Sequence, residues 1–522
     1  MTGKMPATGR LVRGLGIGLA AAAVTLAAAE PAAPAAGPEA PAVKTAPVPG
    51  ALALTVADAI LQALRHNRAL AVQQLNPDIK RTFEQQERAR FDPDLTIEAS
   101  IARSRSSNGS TAGGSVFTRQ KQAQVSLQEL LPLGTQIQLG GSAELVDSSP
   151  GSGNQYTTNL NVSVTQPLLR GAGLGVNLAN LRQAGIDTRF SEYELRGLVL
   201  SLVADTEGAY WDLHLARRQA GITHDSLELA TRQQEDTRER IRVGKLAGSE
   251  LAAAEAEVAL RREDVINAEN SAAVSRLALV RLLSPRGARL WDTDFNLLDT
   301  PGTPSLPPGD LDAHLSKARL MRPELNQARL QFERDELELV KTRNGLLPRL
   351  DLFVTYGKTG YASSFGDARR DLNGPNHDLS AGLTLEIPLG NRAARAQNTR
   401  AQFSREQARL AIENLTQLAE MDVQIAYLEL QRTDEQVRAT AATRRLQEEK
   451  LRNETEKFRV GKSTTLLVGQ AQRDLLASQI SEATAVVNYL KACTELRRQD
   501  GSLLEFRGID CAGKAPVVLP GE

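Results

Sequence analysis

Aromatic residues and long apolar runs are scarce in this sequence. Phe, Trp and Tyr make up 4% of the 522 residues, whereas Ala, Leu, Gln, Arg and Glu are abundant, and that mixture suits long, closely packed helices. Lysine plus arginine equal aspartate plus glutamate at 62 each, so no overall charge indicates nucleic acid as a partner. Beyond residue 29 no stretch has 18 consecutive apolar residues, so no transmembrane helix is predicted there. Such a chain is soluble or crosses a membrane as strands.

Cysteine is also scarce, because Cys493 and Cys511 are the only two. Neither lies near the N-terminal apolar run, so no acceptor for a lipid anchor is predicted there. In an oxidising compartment the two either form a disulfide that pins the C-terminal tail or remain free thiols. Their separation in the sequence does not decide between these alternatives.

The N-terminus has the pattern of an export signal. Three basic residues precede an apolar run that ends in three alanines at Ala29. A short membrane anchor is the alternative, but the run is short and rich in Gly and Ala, which favours a signal peptide over residues 1–29. The Pro/Ala-rich stretch 30–50 then reads as a flexible lead.

The chain contains an internal duplication. The tetrapeptide R-V-G-K occurs at Arg242–Lys245 and again, 217 residues later, at Arg459–Lys462. Earlier positions such as Pro93 and Pro348 match at an offset of 255 residues. Each half has the same order: helix, Pro-marked break, strand region, long helix, R-V-G-K, helix. Self-similarity on this scale predicts two copies of one structural unit.

The predicted helices are long. Arg392–Arg459 contains neither Gly nor Pro, and an unbroken helix of that length would span about 100 Å. Its counterpart runs from about Leu174 to Arg242. Four shorter helical segments are predicted at Thr55–Asp92, Ser249–Ser284, Asp310–Leu347 and Leu466–Asp500. Two short helices end to end match one long helix, which indicates a cylinder wall of long and paired short helices.

Between the helices lie segments in which apolar and polar residues alternate, as Leu95, Ile97 and Ile101 do. The predicted strands are about 95–105, 119–130, 135–146, 156–166, 350–361 and 377–387. Alternation is typical both of a half-buried soluble strand and of a transmembrane barrel strand. The long helices and the export signal favour the barrel. Four to six strands cannot close a membrane barrel, so several chains must share one.

These features resemble the outer membrane efflux protein family, the TolC-like channels. The resemblance covers about Leu52 to Leu504 and rests on "LTVADAILQALRHNRAL", "RPEL" at Arg322–Leu325, "QPLLRGAG" at Gln166–Gly173 and both R-V-G-K turns. It implies a mainly α fold with a β-barrel portion. Duplicated helix–β-hairpin–helix units would form a long α-helical tunnel below a transmembrane β-barrel shared by a homotrimer.

The resemblance also implies partners and a location. The channel would lie in outer-membrane lipid with a large periplasmic part, and would work with a periplasmic adaptor (membrane fusion) protein and an inner-membrane transporter of RND or ABC type. It would be a passive duct of a tripartite efflux or type I secretion system. The R-V-G-K turns are predicted to form the periplasmic tip, the adaptor-docking surface and the tunnel mouth. The alternative is that they are helix C-caps and nothing more. These tip residues are Arg242, Val243, Gly244, Lys245, Arg459, Val460, Gly461 and Lys462.

Two departures from the family pattern concern the tunnel mouth and the strands. Family members often carry acidic residues after the second turn, where this chain has Leu467 and Gln470, so Glu250 is the candidate tunnel-mouth acid. The first strand region is 34 residues longer than the second. The extra residues predict an additional hairpin at about 120–145. If both of its strands span the membrane a trimer has eighteen strands, and if they pack on the rim it has twelve. The charges and glutamines beside Ala123 and Val125 favour twelve.

No catalytic or cofactor-binding pattern is present in the sequence, so no enzyme, cofactor or metal site is predicted. The five histidines, which are His66, His214, His224, His314 and His377, lack metal-ligand spacing. The stretch Gly171–Gly175 lacks the third glycine of a dinucleotide-binding loop. Its glycines are predicted to bend the chain between barrel and tunnel. The predicted bend residues are Pro93, Pro167, Gly171, Gly173, Pro348 and Pro388.

These features together predict six consecutive segments in the chain. Residues 1–29 are the signal, 30–50 the lead, 51–284 the first repeat, 285–309 a connector, 310–504 the second repeat and 505–522 a C-terminal tail. The alternative to a duct is an exported periplasmic coiled-coil scaffold without a membrane barrel. Strand alternation beside the duplicated long helices favours the duct.

Overall fold

The computed structural model describes residues 52–107, 115–149, 153–244, 247–284, 290–302 and 309–519. The predicted signal, the Pro/Ala-rich lead, Lys245 and parts of the predicted connector lie outside these residues. The two halves follow the same order of elements, which confirms the duplicated helix–strand–helix plan.

In the first half, a short strand and three helices lead to four long strands and then to a long helix that reverses into a shorter one. The elements are β1 (Leu52–Leu54), α1 (Val56–His66), α2 (Arg68–Gln73), α3 (Leu75–Arg88), β2 (Asp94–Ser107), β3 (Ser115–Leu130), β4 (Gln136–Ser149), β5 (Gly153–Pro167), α4 (Leu174–Asn177), α5 (Ala179–Arg242) and α6 (Ser249–Leu283). With 64 residues, α5 is about 100 Å long.

The second half repeats this order with two long strands in place of four. The elements are β6 (Phe295–Leu297), α7 (Leu311–Met321), α8 (Pro323–Gly345), β7 (Arg349–Ala362), α9 (Phe365–Asp371), β8 (His377–Glu386), α10 (Arg392–Arg459), α11 (Thr465–Gln499) and α12 (Leu503–Phe506). The unbroken helix predicted over 392–459 is present with those bounds and has 68 residues.

The predicted entry helices of both halves are broken. Arg322 separates α7 from α8 with an extended ψ of 124°, because the residue before Pro323 is sterically disfavoured in the helical region. In the first half Asn67 is extended and its side chain accepts a hydrogen bond from the Leu70 N–H, which caps α2. The entry segment of each half therefore has a kink where the sequence analysis expected a continuous helix.

The main hydrophobic core lies where β1 pairs with β6, the short strand between the two halves. Strands β1 and β6 pair in parallel, with Leu54 opposite Leu297. The hydroxyl of Tyr210 on α5 donates to the Leu54 carbonyl oxygen at 3.1 Å and accepts from the Asp299 N–H at 3.2 Å. Burial raises the pKa of Tyr210 to about 12, so its hydroxyl remains a donor at neutral pH. This hydroxyl ties α5 to β1 and to the segment that follows β6.

The six long strands form one antiparallel sheet in the order β2-β3-β4-β5-β7-β8. The extra hairpin, β3 and β4, pairs with both neighbours along its length, from Asp94–Gln128 to Ser107–Ser115 on one side and from Gln136–Thr165 to Ser148–Gly153 on the other. A rim position for this hairpin is therefore wrong. It forms two full strands of the sheet, and the twelve-strand expectation that rested on a rim position loses its basis.

The alternation of apolar and polar residues explains why this hairpin forms two full strands of the sheet. Ala123, Val125 and Leu127 of β3 face the same side as Leu139 of β4, which lies opposite Leu127 in the register. The glutamines that made the segment look polar fall on the other face. They are Gln120, Gln122, Gln124 and Gln128. One face of the hairpin is thus apolar and continuous with its neighbours, and the other is polar.

The C-terminal segment runs along the helices up to residue 519. Arg196 on α5 is almost fully buried and its guanidinium donates to the Glu505 carboxylate. Further along, the Val517 N–H donates to Asn326 Oδ1 at 2.7 Å. The tail therefore joins α5 to α8.

Cys493 and Cys511, for which a disulfide and free thiols were the two alternatives, are both free thiols. Cys511 packs against the core cluster around Leu54, whereas Cys493 packs against a second cluster around Val423. Burial raises the pKa of both thiols, which disfavours the reactive thiolate. The tail is held by the contacts of Glu505 and Val517 rather than by a covalent bond.

Replacing Glu505 with Gln is expected to destabilise the chain by about 3 kcal/mol or more, because the buried Arg196 guanidinium loses its anionic partner. The measurement is the temperature at which the purified oligomer dissociates in detergent. The control, Glu406→Gln, breaks an exposed ion pair with Arg409 and is expected to cause no measurable shift. Equal shifts for the two variants would contradict a structural role for the buried pair.

Candidate functional site

The first R-V-G-K turn ends α5. Arg242 is the last helical residue, Val243 caps the helix, and Gly244 has a φ of +74°. The Gly244 N–H donates to the Ile241 carbonyl oxygen at 2.9 Å. A Cβ added at Gly244 would meet nothing within 4 Å, so the left-handed φ alone makes glycine the suitable residue. Lys245 lies outside the described residues.

The second turn repeats this geometry at the end of α10. Arg459 is the last helical residue and Gly461 has a φ of +78°. The Gly461 N–H donates to the Phe458 carbonyl oxygen at 3.1 Å, and the Lys462 N–H donates to the Lys457 carbonyl oxygen at 2.8 Å. These two hydrogen bonds form a Schellman motif, which satisfies carbonyls left free at the helix end.

Cations lie where each long helix ends. Arg242 pairs with Glu239, and Arg459 pairs with Glu456 at 3.0 Å. The free carbonyls of a helix C-terminus attract positive charge, so both arginines are favourably placed. All four side chains are more than half exposed, so these pairs add little stability and the guanidinium groups stay accessible to a partner.

The two turns lie at the same end of the helices. The Arg240 guanidinium lies over the Phe458 ring at 4.8 Å from its centroid, which joins α5 to α10 next to both turns. Gln472 Nε2 donates to Gln233 Oε1 at 2.8 Å between α11 and α5. Among the described residues at this end, four large apolar side chains are exposed, and they are Val243, Val460, Leu466 and Leu467. The tip therefore presents both cations and apolar groups to solvent.

The candidate tunnel-mouth acid lies just past the first turn. Glu250 is in the first turn of α6, and its N–H donates to the Ala247 carbonyl oxygen at 3.1 Å. At the start of α11, Leu467 is 45% exposed. The two halves of the tip thus differ in polarity, with an acid on one helix start and a leucine on the other.

The predicted bend residues meet in a hydrogen-bonded junction between strands and helices. The Gly171 N–H donates to Asn344 Oδ1 at 2.7 Å, and the Gly173 N–H donates to the Leu133 carbonyl oxygen at 3.1 Å in the β3–β4 turn. Both glycines have positive φ, 84° and 98°. Gly134 in the same turn approaches so closely that an added Cβ would lie 2.3 Å from the Gly171 carbonyl oxygen. The bend is a packed junction.

Prolines mark the same junction. Pro167 ends β5, and the Arg170 N–H donates to the Pro348 carbonyl oxygen at 3.3 Å, which ties the exit of one strand to the entry of another. Pro93 precedes β2, and Pro388 follows β8. The four predicted prolines thus border strands β2, β5, β7 and β8 at their helix-proximal ends.

Sequence reasoning missed three asparagines in this junction. Asn177 Nδ2 donates to the Gly171 and Gly173 carbonyl oxygens, each at 2.9 Å. Asn391 has a φ of 39° before α10, and its Nδ2 donates to the Leu346 carbonyl oxygen at 3.1 Å. The third is Asn344. An asparagine next to a glycine or proline break was the available signal, since its side chain bonds nearby backbone and tolerates left-handed φ.

The sheet presents one apolar face. A single row crosses all six strands and consists of Leu95, Leu127, Leu139, Val162, Tyr356 and Leu379. The terminal members of the row, Leu95 and Leu379, are 63% and 70% exposed. The opposite face carries mainly amide and hydroxyl side chains, such as those of Gln124, Asn161 and Thr355. An exposed apolar face of this extent requires an apolar environment.

Within the described residues, no group of three or more His, Cys, Asp or Glu side chains is arranged to hold a metal ion. In the same part of the chain no helix combines the length and the apolarity needed to span a bilayer.

The two longest helices are about 100 Å long and end in paired glycine turns. A packed bend joins them to a sheet with one apolar face. This combination defines a channel protomer with a helical tunnel and a share of a β-barrel. The sequence profile of the outer membrane efflux protein family matches residues 59–284 and 314–502. The chain belongs to this family, so it is an outer-membrane efflux channel with a large periplasmic part. A periplasmic scaffold without a membrane barrel is not favoured.

Solved structures support this fold. The outer-membrane channel OprN is 18% identical, with 85% of this chain and 89% of that chain covered and a TM-score of 0.66. A membrane protein from Pseudomonas aeruginosa is 20% identical, with 85% and 93% covered and a TM-score of 0.64. The outer membrane protein VceC from Vibrio cholerae is 17% identical, with 85% and 96% covered and a TM-score of 0.64. No curated protein sequence is significantly similar to the chain.

Proposed function

We propose that three copies of this chain form one continuous passive duct whose barrel has eighteen strands. The observation that carries this proposal is the unbroken six-stranded sheet with one apolar face, attached to helices about 100 Å long. Strands β2 and β8 are its edges, and an open edge in lipid leaves backbone groups without hydrogen bonds. Neighbouring strands are antiparallel throughout, so β8 of one copy runs antiparallel to β2 of the next and can pair with it.

The duct works without catalysis of its own. Amide and hydroxyl side chains line the face opposite the apolar one, including those of Gln122, Gln138, Asn159, Ser163 and Thr384. Such a surface hydrates a pore without holding one substrate tightly. The energy for export then comes from the inner-membrane transporter, of RND or ABC type.

The tip is the docking surface for the periplasmic adaptor. Three copies present six glycine turns in a ring, with Arg242 and Arg459 exposed at each pair. Acidic or amide-rich helix ends on the adaptor would complement these guanidinium groups. Glu250 lies next to this ring and is the candidate acid at the tunnel mouth.

The test is to fractionate cells that express the chain and to compare a deletion strain with its complemented parent. We expect heat-resistant trimers in the outer-membrane fraction. We also expect the deletion strain to gain sensitivity to at least one of three toxic classes, namely drugs, metal ions and bile-like detergents. Soluble periplasmic monomers would contradict the proposed duct.

A further inference from the structure

The apolar face of the sheet ends in cations at the side away from the helices. Toward this far end, the residue after Ile101 on the same face of β2 is Arg103. On the antiparallel strand β3, the residue beyond Ala123 on that face is Lys121. Because the helices lie in the periplasm, this far end faces the outside of the cell. The cations on the lipid-facing side at this end form the outer basic belt, which consists of Arg103, Arg105, Arg119, Lys121 and Lys358.

The charge of this belt is largely uncompensated by the chain. Arg103 lies directly opposite Arg119 in the strand register, and like charges in that position are destabilising. Asp147 on β4 is the acid opposite Arg119, but within the described residues none of the belt side chains forms an ion pair. On α9, Asp367 is already paired with Arg370 at 3.1 Å. The belt therefore leaves positive charge available to an anion from outside the chain.

Aromatic side chains mark the level of the belt as the boundary between lipid and water. The Arg105 guanidinium lies over the Phe117 ring at 4.9 Å from its centroid. Among the described residues, three aromatic residues lie at the outer end of the lipid-facing side, and they are Phe117, Tyr156 and Phe365. Aromatic girdles at both interfaces are a property of transmembrane barrels. The cations beside this girdle lie at the depth of lipid headgroups.

Helix α9 adds a further cation to the same side. A Cβ at Gly360 would lie 2.0 Å from the Ala368 carbonyl oxygen, and Thr158 Oγ1 donates to that oxygen at 2.9 Å. Gly360 and Thr158 both occupy lipid-facing positions of their strands, so α9 lies on the outer surface of the sheet. There its Arg369 side chain is exposed.

The opposite end of the lipid-facing side lacks this charge. The charged residue of β3 at that end is Glu129, which lies opposite Ile137. Positive charge is therefore concentrated toward one leaflet. Arginine and lysine bind phosphate oxygens through charge-assisted hydrogen bonds, and basic clusters at a membrane surface attract anionic headgroups.

We propose that the outer basic belt binds the phosphate groups of anionic glycolipids in the outer leaflet. This proposal rests on the barrel assembly of the proposed duct. The phosphates would separate the repelling pair Arg103 and Arg119 and so fix the height of the barrel in the membrane. Each copy contributes one belt, so a trimer carries three.

The experiment measures binding of lipid A, a diphosphorylated glucosamine lipid, to the purified full-length trimer in detergent by native mass spectrometry. The belt variant carries three substitutions, Arg103→Gln, Arg119→Gln and Lys121→Gln. The control variant removes three exposed helix arginines through Arg400→Gln, Arg445→Gln and Arg452→Gln. We expect the belt variant to lose about tenfold or more in affinity and the control variant to keep the affinity of the unmodified trimer.

Several results would overturn the proposal. The first is that the belt variant binds lipid A as tightly as the unmodified trimer does. The second is that dephosphorylated lipid A binds as tightly as lipid A. The third is that millimolar inorganic phosphate displaces lipid A completely, which would identify a free-ion site. The affinity of the unmodified trimer for lipid A must also fall as the salt concentration is raised. This measurement tests the proposal even if the belt variant does not assemble. Trimer formation is recorded on each sample, so failure of the duct proposal is distinguishable from failure of lipid binding.

Discussion

Replacing Gly244 and Gly461 together with valine is expected to abolish efflux while trimers still reach the outer membrane. Both glycines have φ between +74° and +78°, where a side chain adds about 1–2 kcal/mol of strain per turn. That strain is small beside the burial in a trimer, but it displaces the turns that form the proposed docking ring. The measurement is survival under a toxic compound that the intact system exports, together with the amount of heat-resistant trimer.

Two controls separate backbone strain from added bulk. Gly248 lies at the same tip with a φ of −61° and open space around it, so Gly248→Val adds the same side chain without left-handed strain. Asparagine tolerates positive φ, so Gly244→Asn with Gly461→Asn should retain efflux. Normal efflux from a well-expressed valine double variant would show that the turns are helix caps alone.

Removing the β3–β4 hairpin is expected to narrow the barrel by about a third, because barrel diameter scales roughly with strand number and a trimer falls from eighteen strands to twelve. Deleting residues 109–150 joins Asn108 to Gly151, and an Asn-Gly pair favours a two-residue hairpin. The new turn keeps odd positions of β2 opposite even positions of β5, so the lipid-facing sides of both strands stay aligned.

The width is measured by labelling a pore cysteine with maleimide-polyethylene glycols of increasing size, applied from outside. Ser380→Cys on β8 faces the polar side, and Ala381→Cys on the lipid side is the matched control that these polymers should not reach. Serine replaces Cys493 and Cys511 in all samples. An unchanged size limit in the deletion variant, or twelve strands counted in images of the unmodified trimer, would refute the eighteen-strand barrel.

The fold was predictable where a local pattern determines it. The absence of Gly and Pro defined α10, the duplicated R-V-G-K located both turns, and period-two alternation located the strands. The number of strands was harder, because polar residues such as Gln122 and Gln124 made a full strand of the sheet look too hydrophilic. Assigning each glutamine to one face of the strand would have removed that objection.

Other features depend on contacts between distant parts of the chain. The kink at Arg322 was predictable from the following proline, but nothing local indicates that Glu505 reaches Arg196 across 309 residues. The state of the two cysteines was equally hidden, since it follows from which cluster each thiol joins. The outward position of α9 depends on Gly360 and Thr158, which lie on different halves of the chain.

The added hairpin limits how this family can change the width of its exit. A single inserted strand would reverse the direction of every strand after it and place the long helix that follows the sheet on the opposite side of the membrane from the other helices. Strands can therefore be gained only two at a time, and threefold symmetry multiplies each gain to six. Pore width then changes in discrete steps, and one modest insertion in one gene moves the whole assembly from one step to the next.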